Sequence, residues 1–340
     1  MPPEYCRPAD PDMRLVFIHV PKTGGTSLHA ALARHFAPES VVHAIAPASW
    51  GDALSPASRI RYISGHTRFS AAALMPRPHR IATVLCEPVE RLLSLYTFWR
   101  RHRDNSLPEL REAVEKDLLG FLRSPEPLVR AAIDNAMARQ LYGAALIAPD
   151  GRWFTPISGC GTQARLPEQE VLAGALENLA VCDAVGVMDD LPALYRQICA
   201  ELAMTPGPEP GRLNTRDDVS PGLREAPPPE PLTPEIRREL DRLTRLDRIV
   251  YEAARIRAAG GSRTLRPAAG DPPRGPAWLV DPVAFVDIVF RSLFGRPPEP
   301  NCLTVHAVAL AEGAMMPAEM IRLFVDTGEF RSRQAAAAQP

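Results

Sequence analysis

Apolar and polar positions alternate between two rhythms along the chain. Short apolar runs bounded by polar or turn residues fall at 15–20, 60–63, 81–86 and 181–187, the lengths and composition of buried strands. Between and after them, apolar residues recur at three- and four-residue steps over 26–36, 89–102, 108–122, 128–142, 168–179, 189–203 and 233–257, which predicts helices. Pro88 suits the first turn of its helix, and Thr233-Pro234-Glu235 reads as a capped helix start. Buried strands separated by longer helices predict an α/β protein built on a parallel sheet flanked by helices. Residues 1–13 read as an unstructured lead-in. Residues 204–232, rich in Pro and Gly, read as a loop or lid, and 258–277 as an interdomain linker. Beyond the linker, Phe285, Ile288, Val289, Leu293, Met320, Leu323 and Phe324 mark a small all-helical module over 278–333. The predicted division is therefore 1–257, 258–277 and 278–333, with a fraying tail.

Composition narrows the class. A chain of 340 residues with 46% hydrophobic residues can bury one large core and a small second one. A formal net charge of -1 argues against a general nucleic-acid binder but leaves room for a local basic cleft. Six cysteines without a C-x-x-C pair carry no zinc signature and no dense disulfide framework, which favours a reducing compartment. The first residues lack the apolar core of a signal peptide, and no apolar run is long enough to span a bilayer. The expected location is cytoplasmic, with peripheral membrane attachment left open.

The segment with the most chemistry is Phe17-Ile18-His19-Val20-Pro21-Lys22-Thr23-Gly24-Gly25-Thr26-Ser27-Leu28. A strand runs into a glycine-containing turn, and Leu28, Ala31 and Leu32 then begin a helix. Unpaired N–H groups at such a helix start, the helix dipole and one lysine make an anion site. Glycines allow close backbone approach, and Thr23, Thr26 and Ser27 offer hydroxyl donors. A Walker A loop places its lysine after the glycines; here Lys22 precedes Gly24 and Gly25.

That lysine-first order resembles the 5′-phosphosulfate loop of sulfotransferases that use 3′-phosphoadenosine 5′-phosphosulfate (PAPS). The form PKTGGTSL is most similar to the branch holding the heparan and dermatan 2-O-sulfotransferases and their bacterial relatives. An abundance of Arg, Ala and Pro fits a GC-rich bacterial source. Animal members of that branch are anchored in the Golgi membrane. The resemblance implies a P-loop-like sulfotransferase fold, PAPS as co-substrate, no metal, and transfer of a sulfuryl group to a hydroxyl, most readily that of a saccharide. Lys22 would stabilise charge on the bridging oxygen of the leaving nucleotide, and the stretch from Lys22 through Thr23, Gly24, Gly25, Thr26 and Ser27 would hold the 5′ end.

Three further segments extend the resemblance. Cys86-Glu87-Pro88-Val89-Glu90-Arg91-Leu92-Leu93-Ser94-Leu95-Tyr96 is similar to the family's R-[DE]-P-x-x-R-x-x-S-x-Y, with Arg91 and Ser94 expected on one helix face toward the 3′-phosphate. The leading arginine is replaced by Cys86. A neutral thiol cannot form an arginine–phosphate fork, a loss of roughly 1.5–3 kcal/mol or about one to two decades in donor affinity. Three accounts stay open: compensation by Arg91, Arg212 or Arg216, a weak or degenerate enzyme, or a changed donor. Ser64-Gly65-His66-Thr67-Arg68-Phe69 resembles the family's GH-x-x-[FY] segment and implies His66 as the base on the acceptor hydroxyl, with His19 and Glu87 as fallbacks. Asp134-Asn135-Ala136-Met137-Ala138-Arg139-Gln140-Leu141-Tyr142-Gly143 resembles a helix that borders the acceptor cleft, which implies substrate contacts from Asn135 and Arg139. Leu213-Asn214-Thr215 and Asp247-Arg248-Ile249-Val250-Tyr251 look like late structural landmarks.

The terminal segment resembles a bacterial domain of unknown function with an L-[LF]-G-R-x-P … S-x-E-F pattern, carried here by Leu293-Phe294-Gly295-Arg296-Pro297 and Thr327-Gly328-Glu329-Phe330. Docking of an acceptor, a partner or a second subunit is its expected role. Two other classes remain: a P-loop-like nucleotide kinase, which would need a Walker lysine, and a non-catalytic glycan- or partner-binding protein derived from a sulfotransferase, which Cys86 would suit.

Overall fold

The computed structural model describes residues 8–44, 58–66, 68–69, 78–142, 146–147, 153–154, 168–211, 213, 222–260, 282–311, 315, 317–325, 327–330 and 332. Arg212, Asn214, Thr215 and Arg216, nearly all of the expected linker, and Cys6 and Cys160 lie outside them.

Five strands form one all-parallel sheet in the order β2-β3-β1-β4-β7. They are β1 (Arg14–His19), β2 (Val41–Ala44), β3 (Tyr62–Gly65), β4 (His79–Leu85) and β7 (Ala184–Val187). A separate antiparallel pair joins β5 (Leu146–Ile147) and β6 (Trp153–Phe154). The central strand is β1, and alternation along it explains the layers. Val16, Ile18 and the following Val20 face one apolar cluster with Met137, Leu179 and Val250, whereas Leu15 and Phe17 face another with Leu28, Leu32, Leu194 and Ile198. Helices α6 (Ala136–Tyr142), α7 (Glu168–Val181) and α10 (Arg245–Ala258) cover the first face. Helices α1 (Gly25–Ala33) and α8 (Leu191–Glu201) cover the second.

A third cluster lies among the helices α2 (Pro88–Arg101), α3 (Pro108–Glu115), α4 (Leu118–Leu122), α5 (Pro127–Ile133) and α9 (Pro234–Leu243), through Leu92, Trp99, Phe121, Val129 and Leu243. The terminal segment is helical, as the pattern predicts. Its helices α11 (Pro282–Phe294), α12 (Pro300–Ala311) and α13 (Pro317–Val325) pack Val286, Phe290, Leu310, Met320 and Phe324 together. Among the described residues no helix is long and apolar enough to cross a membrane.

Several long helical expectations are interrupted. The run 128–142 breaks where Asn135 takes a left-handed conformation (φ 48°). Its Nδ2 donates to Asp134 Oδ1 (2.9 Å), its Oδ1 accepts the Leu246 N–H (2.7 Å), and its own N–H donates to the Leu243 carbonyl (2.7 Å). The run 233–257 breaks at Thr244, and 108–122 breaks before Asp117, whose carboxylate accepts the Gly120 N–H and caps α4. The edge strand β2 was not expected, because Val41-Val42-His43-Ala44 is too short and mixed to stand out.

Asp247 holds this arrangement together. It is fully buried, and its two oxygens accept the N–H groups of Met137 (3.3 Å) and Ala138 (2.8 Å) at the start of α6. Burial pushes its carboxyl up to about 6, against the charge of Arg91, which favours the ionised form. Replacing Asp247 by Ala strips the cap from α6 and leaves a buried guanidinium without its counter-charge, so a loss of about 3 kcal/mol or more is expected in urea unfolding. Asp247→Asn, which keeps one acceptor, is expected to lose less.

Candidate functional site

The sheet order makes β1 the point where the chain reverses direction across the sheet: β3 and β2 lie to one side, β4 and β7 to the other. A crevice at the carboxyl ends of the strands is expected there. Register brings the relevant residues level. Ile18 pairs with both Gly65 and Thr83, so His19, His66 and the β4 terminus emerge side by side.

The loop after β1 is held from within. Thr23 is buried, and its hydroxyl donates to the Val20 carbonyl (2.8 Å). Ser27 is also buried and accepts the N–H of Leu213 (2.9 Å). Both hydroxyls therefore shape the loop, while Thr26 is half-buried at its surface. Lys22 sits at φ 68° and Gly24 at φ 80°. A left-handed lysine costs on the order of 1 kcal/mol, a strain that persists only where the surroundings impose it. It turns the Lys22 ammonium over the ring of Phe98 on α2, 4.2 Å from the centroid. Burial, and then the nearby charge of Arg101, bring its pKa down to about 8. Gly24 precedes α1, and no side chain among the described residues caps that helix. Gly25 is dictated by a close approach, since a Cβ there would lie 2.1 Å from Cδ2 of the His19 ring.

Cys86 follows β4 and is buried. Its sulfur lies 3.5 Å from the Lys22 carbonyl and 3.6 Å from that of Glu87, so its single S–H can donate to either, the first joining the end of β4 to the loop after β1. Burial pushes the thiol up to about 12, leaving it a neutral donor.

The expected second half of the site is arranged differently from the sequence reading. Arg91, only 1% exposed, points inward, where its Nη2 donates to the Ala132 carbonyl (2.9 Å) and its charge faces Asp247. Ser94 is exposed on α2, so the two do not share an accessible face. Asn135 and Arg139 are likewise inside. Asn135 ties α6 to the start of α10, and Arg139 Nη2 lies 3.8 Å from Asp134. Asn135 is thus committed to internal hydrogen bonds, whereas Arg139 Nε and Nη1 are buried without a partner among the described residues. Glu87 caps α2 by accepting the Glu90 N–H (2.7 Å).

His66 does stand beside the loop. Its ring meets that of His19 edge-on with centroids 4.8 Å apart. Burial, then His43 and Lys22, lower its pKa to about 4, so the imidazole is neutral at pH 7 and able to accept a proton. His19 is 5% exposed, and burial followed by His66, His43, His29 and Lys22 holds it well below 6.5. Sequence reading singled out two of these histidines and missed the other two. His29 lies a turn into α1 and His43 on β2, and neither position belongs to a recognisable motif. Among the described residues, no group of three or more His, Cys, Asp or Glu side chains is arranged to hold a metal ion.

No protein-family model matches the chain, and no curated protein matches its sequence.

The Gly25–His19 contact is directly testable. Gly25→Ala is expected to cost about 1–3 kcal/mol through overpacking. The His19→Ala/Gly25→Ala double variant should recover most of that loss in thermal unfolding, because the smaller side chain makes room for the added methyl.

Proposed function

We propose that the chain transfers a sulfuryl group from PAPS to a hydroxyl acceptor, with a saccharide as the expected class. The observation that carries this reading is the left-handed Lys22 in an uncapped strand–loop–helix turn at the carboxyl end of the central parallel strand. The α1 terminus offers N–H groups and a positive dipole end to an anion. Lys22 supplies a partly desolvated cation, and such a group is worth most where charge develops on a leaving oxygen. His66, neutral and adjacent, is the group to take the acceptor proton. Gly24 and Gly25 bring the backbone near the bound anion, Thr26 adds a hydroxyl, and Thr23 and Ser27 keep the loop in shape.

A second reading draws support from Cys86 and Arg91. With a thiol at the end of β4, the 3′-phosphate loses the expected leading arginine, and Arg91 lies buried with one nitrogen committed to the Ala132 carbonyl. A non-catalytic binding protein descended from such an enzyme fits that loss.

Calorimetric titration with 3′-phosphoadenosine 5′-phosphate tests the shared premise. Binding is expected, weakened at least tenfold by Lys22→Met, and falling as pH rises through about 8, where Lys22 loses its charge. Absence of binding would sink both the transfer reading and its nucleotide-binding descendant. Binding without sulfate transfer to any glycan would favour the second reading.

A further inference from the structure

Four histidines gather at the carboxyl ends of β1, β2 and β3 and the first turns of α1. His19 lies 4.8 Å from His66 and 6.3 Å from His43 by ring centroids, and His29 lies 4.2 Å from His43. Tyr62, buried beneath them, places its hydroxyl 3.1 Å from His29 Nδ1. The Nδ1 atoms of His19 and His66 are buried and have no hydrogen-bond partner among the described residues. A histidine used only for packing normally gives one ring nitrogen to a carbonyl or carboxylate. A proton on any of these rings would meet the other imidazoles and Lys22, with no described carboxylate to offset it.

We propose that the four imidazoles form a second oxyanion seat beside the Lys22 loop, one that takes up protons together with its anion. A cluster of mutually repelling bases stays neutral when empty. A sulfate, a phosphate or an ester of either supplies the missing counter-charge, and each imidazole then binds a proton more readily. Linkage gives the direction: groups whose pKa rises in the complex make the anion bind more tightly as pH falls. His29 and His66 start from about 4 in the empty protein, held there first by burial and then by neighbouring bases. If the anion restores such a group to about 6.5, its affinity rises about tenfold per titrating imidazole between pH 7.5 and 5.5. The seat stands on the ring geometry, independently of the transfer reading.

Inorganic sulfate is the probe, since it does not itself titrate in this range. The readout is the pH titration of the histidine Cε1–H resonances of the full chain, with and without sulfate. Sulfate should raise the midpoints of His29, His43 and His66, and its affinity should rise about tenfold or more from pH 7.5 to 5.5. His43→Asn, a change at an exposed position, should reduce that rise while leaving the thermal midpoint unchanged. In Lys22→Met the sulfate-induced shifts should persist, which separates this seat from the loop. Midpoints that sulfate does not move, or shifts abolished by Lys22→Met, would overturn the proposal. Because nucleotide binding is measured separately, failure of either reading leaves the other intact.

Discussion

The buried Asp247 carboxylate is the interaction on which the rest depends. It caps α6 through two N–H groups and faces the buried guanidinium of Arg91, which reaches from α2 to the Ala132 carbonyl. From α6, Gln140 donates to the carbonyl of His19 at the end of β1 (3.2 Å). One carboxylate thus links α10, α6 and α2 to the strand that carries the Lys22 loop. A buried carboxylate is costly unless its oxygens are satisfied and a counter-charge is near. Here two backbone N–H groups satisfy the oxygens and the charge of Arg91 partly offsets burial, all from different parts of the chain, so the elements must assemble together.

That linkage draws Arg91 into the interior. An arginine placed three residues before Ser94 reads as a phosphate ligand when seen on a helical wheel. In the folded chain its charge balances Asp247. Much of the basic character lies on the β1 side: Lys22, the α1 terminus and the histidines. The Cys86 thiol reinforces this asymmetry, since it secures the Lys22 carbonyl and adds no charge. The site is basic, partly desolvated and one-sided. Lys22 and His66 both have lowered pKa values because burial disfavours their charged forms before any ligand arrives.

The parallel α/β class was legible because buried strands and amphipathic helices differ in period. The strand–loop–helix at Lys22 was legible because glycine, lysine and hydroxyl residues cluster in a short span. Boundaries were less so. The break at Asn135 depends on hydrogen bonds to Leu243 and Leu246, more than a hundred residues away. The strand β2 gains its identity from pairing with β3, in the register that sets His43 opposite Ser64. Of the candidate site, Lys22, Gly24, Gly25 and His66 stand together, whereas Arg91, Asn135 and Arg139 are buried away from the exposed face of α2 that carries Ser94.

By itself the sequence determined the local chemistry: the alternation of buried strands and amphipathic helices, the glycine-, lysine- and hydroxyl-rich turn at Lys22, and that a cysteine stands at the end of β4. These follow from period, turn residues and side-chain type, all read within a few neighbours. Only the tertiary structure decided which charged groups face water and which balance each other. Burial and pairing are set by residues distant along the chain, as Asp247 is from Arg91. The same holds for the four histidines, scattered from 19 to 66, whose common setting exists only because three parallel strands end at one level beside α1.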